Sequence, residues 1–315
     1  MIEREWFQTP RGRIVAGHAA LSGVQLAFGL FPVVAAMLFV PDGVSPLGLG
    51  AWRIAGGAIV LGGFALLREG RRCLPARADV PRVLVCAAFG VVLNQGTFVI
   101  GLARSTPMNA GLVLSLIPVF TFAAAVVMRQ EKFSAMRALG VFVALVGVAP
   151  LLFSQGVGVL GRHGLGNLLM AMNACLFSLY LVISKPLTRK YSALSITAWM
   201  YVAAAVCLPV FVAGAKLAPS SGFARGWWLL AYVIVFPTVL AYLLNTFALA
   251  RVRASTTAVY VYVQPLITGI ASWVFFRERP TPLMALSAAF LFVGIWLVAR
   301  RPPKAATGGP LPTRV

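Results

Sequence analysis

Apolar residues along this chain do not alternate with polar ones at strand spacing. They run together in long stretches separated by short polar links. Ten such stretches stand out, at about 14–39, 47–67, 83–103, 107–128, 136–153, 166–186, 193–215, 226–249, 254–276 and 282–299. A stretch of about 20 apolar residues crosses a bilayer core of about 30 Å as an α-helix. Lipid offers no partner to backbone N–H and C=O groups, so each stretch must satisfy them internally, as a helix does. The pattern predicts an all-α membrane protein with ten transmembrane helices. Residues 1–13 lead into the first helix, 14–153 and 166–299 form two five-helix units, and 300–315, rich in Pro, Gly and basic residues, is expected to be a disordered tail.

The two units echo each other. An offset of 147 places Pro118 on Pro265, Thr121 on Thr268, Ala124 on Ala271, Glu131 on Glu278, Leu139 on Leu286 and Gly147 on Gly294, without a gap. Trp52 falls on Trp199 at the same offset. A unit with an odd number of helices enters the membrane from opposite sides in successive copies, so the expected architecture is two inverted five-helix repeats. Swapping the conformations of such halves opens a shared site to one face and then to the other. The chain also lacks the GxxxxGK[ST] loop that a nucleotide-driven pump would use.

Charged residues make up 11% of the chain, against about 25% in soluble domains, which leaves no room for a large soluble domain. The net charge of +20 raises the question of nucleic acid. Its distribution answers differently: 20 of the 27 Lys and Arg lie in segments that share one face if the N-terminus is cytoplasmic. This positive-inside bias puts both termini in the cytoplasm of a protein of the cell inner membrane, with its basic loops against anionic lipid, and argues against a nucleic-acid partner. The first apolar run lacks a clear cleavage site and is expected to be retained. Cys73, Cys86, Cys175 and Cys207 have no metal-ligand spacing, so neither a metal site nor a cofactor is expected.

A transport site needs a few polar groups at mid-membrane. Helix six offers Asn173, Tyr180 and Ser184 on one face, helix eight Thr238, Tyr242 and Asn245, and helix nine Thr257, Tyr260, Gln264 and Thr268. Helix three adds Asn94 and Gln95, and Trp199 joins the aromatic candidates. Two readings stand for these residues: a substrate-binding wall, or hydrogen-bonding glue between helices at about 0.6 kcal/mol per group. Pro118 and Pro265 each remove one helical hydrogen bond at paired positions, which marks them as candidate hinges. Arg53 lies roughly 9 Å inside helix two at about 1.5 Å per residue. It is either a carboxylate contact or a structural arginine that snorkels or pairs with freed carbonyls. Glu131 and Glu278 read as helix-end residues that stitch neighbouring helices in each half. No Asp or Glu falls within a predicted span, so the buried carboxylate expected of a proton-coupled cation pump is missing.

The pattern AR-x(13)-P in helix four, followed by Glu131 and Gly147 and repeated with Pro265, Glu278 and Gly294, resembles the EamA-type repeat of the drug/metabolite transporter superfamily. Pro46–Leu47 and Ala51–Trp52–Arg53 are similar to that family's opening of its second helix, whereas Phe28–Gly29 stands where Trp-Gly is usual. The resemblance implies a ten-helix exporter or exchanger of small metabolites, amino acids included. The expected function is therefore export of small metabolites, amino acids first and aromatic ones included, by alternating access in a protein that is not an enzyme. The alternatives are a sugar or nucleotide-sugar exchanger and, more remotely, a membrane enzyme acting on lipid-linked substrates. Substrate, coupling ion and oligomeric state are not set by the sequence.

Overall fold

The computed structural model describes residues 10–153, 163–279 and 281–299. The regular elements among them are helical: α1 Pro10–Leu38, α2 Pro46–Glu69, α3 Val80–Ala87, α4 Leu93–Ala103, α5 Pro107–Leu114, α6 Ile117–Val127, α7 Ala135–Phe153, α8 Gly164–Ser184, α9 Ala193–Ala204, α10 Leu208–Val212, α11 Arg225–Val233, α12 Ala241–Leu249, α13 Ala254–Val259, α14 Gln264–Phe276 and α15 Pro282–Ala299. Several join end to end, giving eight segments among the described residues that are long and apolar enough to cross a membrane. They are Gly12–Leu38, Pro46–Cys73, Arg77–Ala103, Pro107–Val127, Gly164–Arg189, Ala193–Val212, Arg225–Leu249 and Ala254–Phe276. The other two predicted stretches are helices α7 and α15, of 19 and 18 residues, which pack against each other. The expected N-terminal segment up to residue 9 and the tail 300–315 lie outside the described residues.

Local chemistry sets where the helices begin. Ser45 and Ser192, which coincide at the offset of 147, each accept a hydrogen bond from the amide three residues on: Gly48 at 3.1 Å and Ser195 at 3.0 Å. Such caps contribute about 0.5–2 kcal/mol each. Thr106 caps α5 in the same way through the Asn109 amide. Pro46 and Pro107 occupy the first turn, where a missing N–H costs nothing.

Two pairs of spans depart from regular helix at matching places. The π-helical turn Ala88–Val92 joins α3 to α4, and a second, Ile234–Leu240, joins α11 to α12. The offset carries residues 88–92 onto 235–239. Between α5 and α6 the helix is interrupted at Ser115–Leu116, and between α13 and α14 by the 3₁₀ turn Tyr260–Val263. Pro118 and Pro265 are thus not mid-helix kinks. Each sits second in a helix that restarts after a break, where proline costs no helical hydrogen bond.

Reciprocal contacts tie the two units together. Helices α2 and α9 pack so closely that a Cβ on Gly57 would lie 2.3 Å from the Tyr201 ring. The Trp52 indole of α2 donates to the Leu217 carbonyl beyond α10 at 2.7 Å. The matching Trp199 of α9 donates to the Cys73 carbonyl beyond α2, also at 2.7 Å. Alongside them α5 packs on α14 and α6 on α13, so these two broken spans lie side by side, head to tail.

Candidate functional site

Where the broken spans meet α1, α2, α4, α8 and α12, the packing leaves a cavity of about 50 Å³. At about 10–15 Å³ per water that is room for a few water molecules. Phe28, Phe31, Phe98, Phe177 and Tyr242 supply aromatic wall, Leu114 and Ile117 flank the break between α5 and α6, and Arg53, Asn94, Asn173 and Gln264 are the remaining polar lining. Residues of both units contribute. Among the lining residues none is acidic.

The polar groups are held by specific bonds. Asn94 and Asn173 each donate an amide N–H to the other's backbone carbonyl, at 3.3 and 2.6 Å. The Tyr242 hydroxyl donates to the Gly90 carbonyl at 2.7 Å and lies 3.4 Å from Asn94 Oδ1. Gln264 donates to Gln25 Oε1 at 2.7 Å. Arg53, 3% exposed, donates from Nε to Thr238 Oγ1 at 2.9 Å and from Nη2 to the Pro237 carbonyl at 3.4 Å. Its guanidinium lies 4.2 Å from the centre of the Phe31 ring, which stacks on Phe98 at 4.5 Å. The acceptors Gly90 and Pro237 coincide at the offset of 147, and each belongs to a π-helical turn. A π turn shifts the backbone ladder locally and often marks a functional position. Here both turns offer a carbonyl to a side chain at the cavity.

Of the residues singled out from the sequence, Arg53, Asn94, Asn173, Tyr242 and Gln264 therefore converge on one cavity. Gln95, Tyr180, Trp199, Asn245 and Tyr260 are not among its lining residues. Gln95 lies 3.4 Å from the Tyr201 hydroxyl, Tyr180 pairs with Thr246 at 3.2 Å, Tyr260 with His18 at 2.8 Å, and Asn245 is buried. Helical spacing places residues on one face, but the cavity occupies only a short length of each face. The four phenylalanines were not singled out, because in an apolar span Phe reads as ordinary packing. A usable signal existed: Phe98 and Phe177 lie one turn beyond Asn94 and Asn173.

Two carboxylates bind the ends of the broken spans. Glu131, beyond α6, accepts the Ser255 amide of α13 on Oε1 at 3.4 Å and pairs through Oε2 with Arg137 at 3.0 Å. Glu278, beyond α14, accepts the Met108 amide of α5 at 3.3 Å. Met108 and Ser255 also coincide at the offset of 147. Burial pushes the Glu278 carboxyl above its ordinary range, against the pull of the Met108 amide and His163. Around Glu131 a wider cavity of about 960 Å³ is lined by Arg129, Lys132, Arg137, Lys185, Arg189 and Arg253.

A cavity that sets a few polar groups among aromatic walls, between apolar helices from two matching units, is the arrangement of a membrane transporter. The EamA-like transporter family matches residues 16–153 and 164–300, and the chain belongs to that family. It is 25% identical over 283 residues to the uncharacterised transporter YdfC of Bacillus subtilis, covering 90% of each chain. It is also 25% identical to a probable terminal-alkyne amino-acid exporter of Streptantibioticus cattleyicolor, covering 82% of this chain and 86% of that one. A solved crystal structure shares the fold with a TM-score of 0.66 at 20% identity, over 92% of this chain and 97% of its own. The protein is a membrane-embedded transporter of a small molecule and not an enzyme.

Proposed function

We propose that this protein exports small metabolites, aromatic amino acids first among them, across the cell inner membrane by alternating access. In this reading α7 and α15 are the fifth and tenth spans, the two units are inverted repeats, and both termini are cytoplasmic. The paired caps Ser45 and Ser192, the reciprocal Trp52 and Trp199 bonds and the matching π turns support inversion, because each contact recurs with the partners exchanged. The excess of Lys and Arg in alternate loops supports the orientation.

The cavity carries the substrate assignment. Five aromatic rings surround one arginine and three carboxamides. The rings match an apolar or aromatic side chain. Arg53 has five N–H donors, of which Thr238 and Pro237 engage two, so donors remain for a carboxylate. The carboxamide oxygens of Asn94, Asn173 and Gln264 suit an ammonium group. Likeness to an amino-acid exporter points the same way. One arginine is a poor match to the diphosphate of a nucleotide sugar, which calls for several basic groups. At about 50 Å³ the cavity is too small for an amino acid, and admitting one requires the walls to part.

Reconstitution in liposomes tests this. Counterflow of labelled aromatic amino acids is expected, with little movement of sugars or of organic cations that lack a carboxylate. Folded protein that exchanges none of the amino acids overturns the proposal.

A further inference from the structure

Residues at the ends of the broken spans lie away from the cavity and touch no candidate substrate group, yet they repeat across the two units. We propose that Glu131 and Glu278 are latches of two gates, one at each mouth of the cavity, and that the Glu278 gate opens more readily. The inference rests on the alternating-access reading above and adds the residues that hold each mouth shut.

The gates are built from one pair of spans. At one end α6 lies against α13, and Glu131 bonds the first turn of α13 through Ser255. At the other end α5 lies against α14, and Glu278 bonds the first turn of α5 through Met108. Both spans are interrupted between these ends, at Ser115–Leu116 and at Tyr260–Val263, and Leu114, Ile117 and Gln264 bring the interruptions to the cavity. A break in the hydrogen-bonded ladder is where a helix bends. One half of the pair therefore swings apart while the other half stays closed, which is what alternating access requires of a gate.

The bond lengths fit such a role. At 3.3 and 3.4 Å both amide bonds exceed the usual 2.7–3.2 Å for N–H···O. A latch that breaks in every cycle must be weak. The two are also unequal. Arg137 engages one oxygen of Glu131 and leaves the other aimed at Ser255, and the side chains of this pair are only 14% and 8% exposed. The offset of 147 carries Arg137 onto Met284, and Glu278 has no ion pair among the described residues. One carboxylate is thus held in place by a shielded cation, while its counterpart has the Met108 amide, with Ser272 and His163 nearby, and no ion pair among the described residues. The end that lacks the arginine opens first, and by the distribution of Lys and Arg that end faces outward.

Spin-label pairs placed on the full chain in lipid nanodiscs read each mouth separately. In a background without the four native cysteines, one pair replaces Arg129 and Arg253 at the Glu131 mouth, and another replaces Arg104 and Arg277 at the Glu278 mouth. Without substrate, Glu131→Ala is expected to lengthen the 129–253 distance, and Glu278→Ala the 104–277 distance. Each is expected to shift the ratio of open to closed forms at its own mouth on the order of 5- to 10-fold, as loss of one long hydrogen bond of ordinary net strength gives. Arg137→Met leaves both glutamates in place and is expected to open the Glu131 mouth alone, which covers the case in which Glu131→Ala fails to fold. Opposite responses at the two mouths establish the latches, since a purely structural loss loosens both together. Equal responses, or none, overturn them. Because no substrate is present, this outcome is separate from counterflow: opposite shifts in a protein that moves no amino acid refute the substrate assignment and leave the gates standing.

Discussion

Replacing Arg53 with methionine separates the two parts this residue plays. The side chain is buried, bonded to Thr238 and Pro237, and stacked on Phe31. Its removal loses the Thr238 bond, about 1.5–3 kcal/mol for a charged donor, and the stacking, about 0.5–2 kcal/mol. It also removes the several kcal/mol that a buried charge costs. These opposing quantities are of similar size, so the folded protein is expected to melt within a few degrees of the parent. Transport behaves differently. A carboxylate held by the guanidinium contributes about 1.5–3 kcal/mol to binding, which at 1.4 kcal/mol per decade is about 10- to 150-fold. The assay is competition of counterflow by an aromatic amino acid and by the amine left on removing its carboxylate. The parent is expected to prefer the amino acid by that factor, and Arg53→Met to treat the two alike. Arg53→Lys keeps the charge without the planar fork and is expected to fall between. An Arg53→Met protein with the parent's preference refutes the carboxylate contact.

Further outcomes follow from the packing. Gly57→Ala drives a Cβ to 2.3 Å from the buried Tyr201 ring and is expected to lower stability by about 1–3 kcal/mol, read as a lower melting temperature in detergent. Gly63→Ala on the same helix meets nothing within 4 Å and is expected to be neutral or slightly stabilising in the same measurement. Tyr242→Phe deprives the Gly90 carbonyl of its 2.7 Å donor, about 0.5–1.5 kcal/mol, and is expected to weaken substrate competition more than it lowers the melting temperature. Pro118→Ala restores an amide able to reach the Leu114 carbonyl and so to join α5 to α6. Slower exchange at unchanged stability is the expected result, and unchanged exchange removes the hinge from the mechanism.

The helical class, the membrane environment and the duplication were legible because they depend on composition and on spacing along the chain. Much of the site was legible for a similar reason. Arg53, Asn94, Asn173, Tyr242 and Gln264 are conspicuous in apolar spans, since a polar group there needs a partner. The phenylalanine walls were not, because Phe28 or Phe177 looks like any core residue until the rings opposite it are known. Trp199 was conspicuous as an aromatic candidate, but its bond to the Cys73 carbonyl, a partner 126 residues away, is one that no local pattern reveals. The π turns escaped for the same reason, since Gly90 and Pro237 are unlike in sequence although they take the same place in the backbone.

By itself the sequence determined that the chain lives in lipid as helices, that it is built twice, and which rare polar groups must be accounted for. These follow from the cost of unpaired polar groups in hydrocarbon and from the repetition of residues at one offset. Only the tertiary structure decided which of those groups face a common space, where the broken spans end, and that Glu131 and Glu278 each close on the other unit. Those are matters of distance between residues remote along the chain, fixed by how the helices pack and not by any one helix.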